Sequence, residues 1–231
     1  MMAGVTVAIL LAAGAGERMA TGEPKAFVAI GSRSILEIAA LNVAGCYRVA
    51  ALVVAVPEGM EERARRLLDT LISKPVSVVT GGTSRQESVR LALAAVPADA
   101  DSVAVHDAAR CLASPELLSR VISAAAGADG AIPVVGVSDT VKRVEAGAVA
   151  ATVPREDLAL AQTPQVFRVD ALRDVHERAA AEGLSFTDDA AMFEWAGLRV
   201  VTVAGEETNF KITTQADVAR AAVALGGDVD G

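Results

Sequence analysis

Aromatic side chains are nearly missing from this 231-residue chain: one Trp, one Tyr and five Phe, 3% in all. A core without large rings must be filled by small aliphatic layers, as between helices and a parallel sheet. Cysteine is scarce as well. Cys46 and Cys111 stand far apart and match no metal-ligand spacing, so the expectation is two reduced thiols in a cytoplasmic protein. Positive charge is in deficit, with 21 Lys and Arg against 29 Asp and Glu, a net charge of −8. This argues against a general DNA- or RNA-binding surface, and a polyphosphate ligand would have to be held by a few placed cations. No apolar run approaches the roughly 20 residues of a membrane span. The run from Val5 to Ala13 has no basic residue before it and meets Gly14-Ala15-Gly16-Glu17-Arg18 at once. It reads as a buried first strand rather than a secretion signal.

What the chain does have is aliphatic residues, 52% being hydrophobic, enough for a sizeable core in a single domain over 1–231. Apolar strands alternate with helical stretches. Val5–Leu11, Val49–Val56, Val76–Thr80, Ser102–Val105, Gly130–Val135 and Val200–Ala204 read as strands. Ser34-Ile35-Leu36-Glu37 is a capping box that opens a helix toward Ala44. Further helices are expected at Glu61–Leu71, Ser84–Ala95, from Ser114-Pro115 toward Ala126, at Asp170–Glu182, at Asp188–Ala196, and after Thr214. This rhythm predicts an α/β, Rossmann-like domain: a mostly parallel twisted sheet, helices on both faces, and a ligand site at the carboxyl ends of the strands.

The rhythm breaks at Ser138. Thr140–Val144 and Ala148–Val153 alternate with period two around Glu145-Ala146-Gly147, which predicts a hairpin over about 138–155. An isolated hairpin is marginal in water. It either folds back on its own domain or reaches a second subunit as an arm.

Three blocks carry candidate chemistry. The first is Leu11-Ala12-Ala13-Gly14-Ala15-Gly16-Glu17-Arg18-Met19, followed by Pro24-Lys25. Glycines after a first strand let backbone N–H groups approach phosphates. Met19 stands where a dinucleotide fingerprint needs its third glycine. Gly22 is followed by Glu23-Pro24, not by the Lys-Ser/Thr of a P-loop. What is left is a glycine loop with two cations, Arg18 and Lys25, that can reach a triphosphate and stabilise charge developing on it. The second block is Gly81-Gly82-Thr83-Ser84-Arg85-Gln86-Glu87-Ser88, where two glycines at a strand end make room for a flat base. The third is Val105-His106-Asp107-Ala108-Ala109-Arg110. Asp107 is a hard oxygen ligand suited to Mg²⁺, and Arg110 can grip a phosphate in a fork. His106 reads as a hydrogen-bonded structural histidine, because an attacking phosphate is already anionic and needs no base.

The first block resembles the signature of the sugar-nucleotide pyrophosphorylase and cytidylyltransferase superfamily. The second and third are similar to those of the 2-C-methyl-D-erythritol 4-phosphate cytidylyltransferase family, as are Asp139-Thr140-Val141-Lys142, Pro154-Arg155, Gln162-Thr163-Pro164-Gln165, Thr187-Asp188-Asp189-Ala190 and Phe210-Lys211-Ile212-Thr213-Thr214. Taken singly, Thr187, Asp188, Thr213 and Thr214 are ordinary helix caps and Thr163-Pro164 an ordinary turn. Taken together, the blocks keep the family's order from Ala12 to Asp217. The resemblance implies that CTP is bound by Ala12, Ala13, Gly14, Gly16, Gly81, Gly82, Arg85 and Ser88. It implies that the polyol phosphate is bound by Asp107, Arg110, Thr140, Arg155, Thr163, Thr187 and Lys211, with Arg18, Lys25 and Lys211 catalytic and Mg²⁺ as cofactor. It further implies a homodimer through the hairpin arm, with Arg155 entering the other subunit's site. A cytidylyltransferase for another polyol phosphate, such as ribitol 5-phosphate, shares most of these blocks. A nicotinamide-dependent oxidoreductase and a non-catalytic nucleotide-binding module are the rivals of other classes; Met19 argues against the first, and the number of converging cations and hydroxyls against the second. Three departures from the family pattern stand out, one of them Gln215-Ala216-Asp217 in place of the usual Pro-Glu-Asp. Ala26 replaces a frequent glutamine, with an effect on loop anchoring expected, and Cys111 replaces a proline after Arg110, which is expected to loosen the backbone there.

Overall fold

The computed structural model describes residues 4–14 and 23–226. Gly16, Arg18, Met19 and Gly22, on which part of the glycine-loop reading rests, lie outside the described residues.

The central strand β1 is Thr6–Leu11. It pairs in parallel with β4 (Val49–Val56) on one side and β6 (Ser102–Asp107) on the other. Beyond β4 lies β5 (Val76–Thr80), again parallel. Side chains of β1 alternate between two cores. Ala8 and Leu10 join one, Val7 and Ile9 the other, all essentially fully buried. This explains the unbroken apolar run: a parallel strand covered on both faces has no polar side to show.

Helices cover both faces. The layer on the Leu10 face includes α1 (Ile35–Gly45) and α4 (Pro115–Ala125). Toward the rim it also includes α2 (Glu61–Asp69) and α7 (Gln215–Ala224). The layer on the Ile9 face includes α3 (Arg85–Leu93), α5 (Val169–Ala181) and α6 (Asp189–Trp195). Caps fix their starts. Ser34 and Glu37 form the expected capping box at α1, and Ser84, Ser114 and Asp188 each accept a backbone N–H at the first turn of α3, α4 and α6. The scarce aromatics are concentrated in the second core, where Phe167 and Phe193 stack with centroids 4.3 Å apart. A short hairpin of β2 (Ala29–Ile30) and β3 (Arg33–Ser34) precedes α1.

Among the described residues the sheet has eight strands, and it is not wholly parallel. Strand β7 (Gly130–Gly136) lies parallel to β12 (Val200–Ala204). On its other side runs an antiparallel stretch that periodicity did not disclose, made of β10 (Ala159–Ala161) and β11 (Gln165–Arg168). Strand β11 is wedged between β7 and β6, antiparallel to both. Both pieces are too short to show an alternation. The break between them, at Gln162 to Pro164 with a cis Thr163–Pro164 peptide, turns those residues toward the end of β6.

The hairpin exists as expected: β8 (Val141–Glu145) and β9 (Ala148–Val153) form a two-stranded sheet of their own. Ala146 and Gly147 both have positive φ, 48° and 82°, the turn that matches the twist of a two-residue hairpin. Nearly all its residues are exposed, including Val144 at 59% and Val149 at 66%. It does not fold back onto the apolar cores of its own domain.

Candidate active site

Strands β1, β5 and β6 run in parallel, so their carboxyl ends open on one edge of the sheet, where the loops after them meet. A cavity of about 340 Å³ lies there. Its walls come from the loop after β1 (Ala12, Ala13, Gly14), the turn after β5 (Gly82, Thr83, Ser84, with Arg85 and Ser88 of α3) and the end of β6 (Asp107, Ala108, Ala109). Lys25, Ala26, Ile35 and Lys211 close it.

The nucleotide-side elements are held by backbone. Ala12 N–H donates to the Ala55 carbonyl at 2.8 Å and Gly81 N–H to the Val56 carbonyl at 2.7 Å, extending the sheet by one bond on each loop. The two loops approach so closely that a Cβ on Gly81 would lie 2.3 Å from the Ala13 methyl. Glycine is therefore required at 81 by packing between loops, while Gly82 lines the cavity itself. Ser88 Oγ accepts from Gly82 N–H at 3.0 Å and donates to the Ser84 carbonyl at 2.8 Å. Its hydroxyl is thus already engaged in fixing the turn.

The charged wall is one connected network. Asp107 is buried at 8% exposure. Its Oδ2 meets Lys211 Nζ at 2.7 Å and its Oδ1 meets Arg85 Nε at 3.1 Å. Arg85 Nη1 continues to Asp189 Oδ2 at 2.7 Å, and Asp189 Oδ1 meets His176 Nε2 at 2.9 Å. Burial alone would raise the Asp107 pKa, but the charges of Arg85 and Lys211 outweigh it and hold the carboxyl well below the usual carboxylate range. Asp189 is lowered in the same way, with burial opposed by Arg85 and His176. Arg85 is raised: its burial is overcome by the two carboxylates. All three groups are charged at neutral pH.

Around this wall the other candidates fall into place unequally. Lys25 donates to the Ile212 carbonyl at 3.2 Å, which ties the start of the 3₁₀ turn Lys25–Phe27 to the segment carrying Lys211. Thr163 Oγ1 accepts from Asp107 N–H at 3.0 Å and bonds His106 Nδ1 at 2.8 Å. His106 is fully buried, and burial lowers its pKa to about 4. It is neutral at pH 7 and structural, as the sequence suggested. Arg110 donates from Nη1 to the Asn209 carbonyl at 2.9 Å and from Nη2 to the Ala161 carbonyl at 3.3 Å. Arg110 and Thr163 thus brace the wall without lining the cavity. Thr140, Arg155 and Thr187 are exposed and line no part of it. Arg155 Nη1 donates to the Ser138 carbonyl at the foot of the hairpin.

Two of the departures, at Cys111 and Ala26, are also placed. Cys111 keeps a φ of −61°, the angle a proline would impose, and its carbonyl accepts from Asn42 Nδ2 at 2.8 Å. Its thiol is pushed up to about 12 by burial and is inert. Ala26 is buried and lines the cavity.

Sequence reasoning passed over His176 and Asn209, and named Gln162 within a family block without giving it a role. Asn209 Nδ2 donates to Gln162 Oε1 at 3.1 Å and to the Thr163 carbonyl at 2.9 Å, and Gln162 Nε2 to the Glu206 carbonyl at 2.8 Å. This stitches the break in the antiparallel strand to the segment that carries Lys211. His176 and Asn209 stand among polar and charged neighbours in the sequence, which gives no advance signal of burial or partner.

Among the described residues no three His, Cys, Asp or Glu side chains are grouped to hold a metal. Asp107 is the one acid in the described cavity wall, and each of its oxygens keeps a lone pair beyond the bond it makes. That donor set fits a divalent ion held mainly by phosphate oxygens, the common mode for Mg²⁺. No helix of the described residues is long and apolar enough to cross a membrane.

Comparison with known proteins agrees with this geometry. The profile of the family described as 2-C-methyl-D-erythritol 4-phosphate cytidylyltransferase (IspD) matches residues 6–226. A protein of that name from Rhodococcus jostii is 44% identical over 227 residues, 96% of this chain and 97% of its own length. The bifunctional enzyme IspD/IspF of Rhodopseudomonas palustris is 44% identical over 218 residues, and the chain spans 54% of that relative's length. Among solved structures, the 4-diphosphocytidyl-2C-methyl-D-erythritol synthase of Anaerococcus prevotii matches with a TM-score of 0.86 at 29% identity, covering 97% of this chain and 99% of that one.

Proposed function

The chain belongs to the 2-C-methyl-D-erythritol 4-phosphate cytidylyltransferase family, and on that premise we propose that it transfers the cytidylyl group of CTP to 2-C-methyl-D-erythritol 4-phosphate. The phosphate oxygen of the polyol attacks the α-phosphorus of CTP. The bond to the β-phosphate breaks, pyrophosphate leaves, and 4-diphosphocytidyl-2-C-methyl-D-erythritol forms in this step of isoprenoid synthesis. The observation that carries the reading is the cavity at the ends of β1, β5 and β6, glycine-walled on one side and lined by Lys25, Lys211 and the Arg85–Asp107 pair on the other.

The chemistry asks for positioning and charge stabilisation and for little else. Ala12, Ala13, Gly14, Gly16, Arg18 and Lys25 take the triphosphate. Gly82, Arg85 and Ser88 face the base and ribose, with Gly81 allowing the two loops to close on them. Lys211 and Asp107 orient the attacking phosphate and the polyol hydroxyls, and Arg110 and Thr163 support them from behind. Mg²⁺, held by phosphate oxygens and Asp107, supplies charge neutralisation when bound. Thr140, Arg155 and Thr187 complete the second-substrate site. For Thr140 and Arg155 we place that site in a partner subunit, reached by the hairpin in a twofold dimer. The exposed valines of the hairpin and its separation from both cores support this reading.

The test is pyrophosphate release from CTP with a panel of polyol phosphates. Methylerythritol phosphate should be the substrate, and ATP and GTP should be poor donors, because the backbone-lined pocket at Gly82 excludes purines by size and hydrogen-bond pattern. Faster turnover of ribitol 5-phosphate would move the assignment to another polyol, and equal release from ATP would sink the base assignment.

A further inference from the structure

The charge network does not end at the cavity. Lys211, Asp107 and Arg85 line it, but Asp189 and His176 do not. Both are buried, at 0% and 1% exposure, in α6 and α5 behind α3. Burying a carboxylate and an arginine is costly, and apolar residues of similar volume would pack such a core as well or better. The helices α3, α5 and α6 already share an aliphatic core through Val89, Leu172, Val175 and Met192. Packing therefore gives no reason for a buried acid here.

Geometry does. A guanidinium held only through Nε can rock about that bond. Asp107 takes Nε at 3.1 Å and Asp189 takes Nη1 at 2.7 Å, from different elements. Two carboxylates on two nitrogens fix the plane of the fork. Among the described residues Nη2 is then left buried and without a partner, on a residue that lines the cavity. Asp189 is held in turn by His176 Nε2 at 2.9 Å, and the backbone of α6 is pinned by Gln165, whose Oε1 accepts from Ala190 N–H at 3.3 Å.

We infer that His176 and Asp189 are positioning residues for the transfer reaction: His176 fixes the Asp189 carboxylate, Asp189 fixes the Arg85 fork, and Arg85 fixes Asp107 opposite Lys211. The inference rests on the function proposed above. It assigns to the pair no contact with substrate, only the orientation of groups that have one.

The test compares three variants of the full chain: His176→Leu, His176→Gln and Asp189→Asn. Glutamine places a donor nitrogen close to where Nε2 of histidine lies; leucine keeps volume and removes the donor. For each, kcat, both KM values, CTP affinity by calorimetry and the thermal midpoint are measured. His176→Leu and Asp189→Asn should lower kcat/KM for the polyol phosphate by about tenfold to a hundredfold, the range for slight misplacement of reacting groups. The affinity for CTP should fall as well, since Arg85 faces the base and ribose, but by less, because the backbone contacts of the loops after β1 and β5 are kept. His176→Gln should recover most of the loss. Wild-type kinetics in a folded His176→Leu variant would overturn the inference, as would equal losses in the leucine and glutamine variants. Should the leucine variant fail to fold, wild-type kinetics in Asp189→Asn overturns it by itself. A wild-type protein inactive with every polyol phosphate overturns the functional reading; active wild type with unaffected variants overturns only this one.

Discussion

The wall at the end of β6 and the hairpin β8–β9 treat their residues in opposite ways. At the wall, charge is buried: Asp107 and Asp189 sit at 8% and 0% exposure, each paired with arginine. In the hairpin, apolar surface is exposed, and the single arginine at its foot, Arg155, rests on a backbone carbonyl. The wall is complete within one chain, because each of its buried carboxylates meets a cation from another element. The hairpin differs, because most of its residues, Val144 and Val149 among them, stay exposed on the domain that carries them. One polypeptide thus holds a wall finished within itself and a hairpin whose apolar residues it leaves uncovered.

The most severe way to break this comparison is at the cavity the wall lines. Lys25→Ala should lower kcat by ~100-fold or more, the usual loss when one preorganised charge contact to a developing charge is removed. Steady-state kinetics checks it, with a thermal melt to show that the fold survives. An unchanged kcat would remove Lys25 from the machinery.

Arg110→Ala comes next. Its fork holds the carbonyls of Asn209 and Ala161, so its loss frees the segment leading to Lys211. The KM for the polyol phosphate should rise by roughly tenfold, the equivalent of one charge-assisted hydrogen bond, and by more than the KM for CTP. A rise confined to CTP would assign Arg110 to the other substrate.

The comparison is sharpened by making the two regions complement each other. Lys25→Ala and Arg155→Ala proteins, each inactive, are unfolded and refolded together. With the hairpin serving the partner's site, a mixed dimer has one site with both lesions and one with neither, and random pairing restores roughly a quarter of wild-type activity. A dead mixture whose mixed dimers are confirmed by mass places Arg155 in its own chain's site.

The smallest effect concerns the support behind Lys211. Asp217 accepts from the N–H groups of Thr213 and Thr214, both at 2.8 Å, and from their hydroxyls. Although burial opposes it, these bonds lower its pKa from 3.8 to about 2. The folded value lies below the unfolded one, so the stabilisation is complete above pH 3.8 and is lost as pH falls toward 2. Thr214→Ala, which removes the cap of α7, should cost about 1 kcal/mol at neutral pH. The gap between Asp217→Asn and wild type in thermal melts should close on acidification; a gap that stays constant to pH 2 would show that the carboxylate's charge is not what the cap uses.

Where apolar period and cap chemistry agree, the elements were legible. The strand Val76–Thr80 and the capped helices after Ser34, Ser84 and Ser114 follow from local rules that no tertiary contact overrides. The strands β10 and β11 were not legible, since three or four residues cannot display an alternation. Within the site, the glycine turn and Asp107 could be read in order along the chain. The partners of Asp107 could not: Lys211 lies 104 positions away and Arg85 22.

The sequence alone determined the layered α/β design, through continuous apolar strands that must be covered on both faces, and the edge of the sheet where ligands go, through glycines and charges placed directly after those strands. Tertiary structure alone decided that the strand before α5 runs against its neighbours, that Arg110 and Thr163 brace the wall instead of lining it, and that a buried His176–Asp189 pair stands behind Arg85. Periodicity and caps are properties of neighbours a few residues apart. The direction of an inserted strand and the pairing of a buried charge depend on which distant segments meet, and that is settled only when the chain closes on itself.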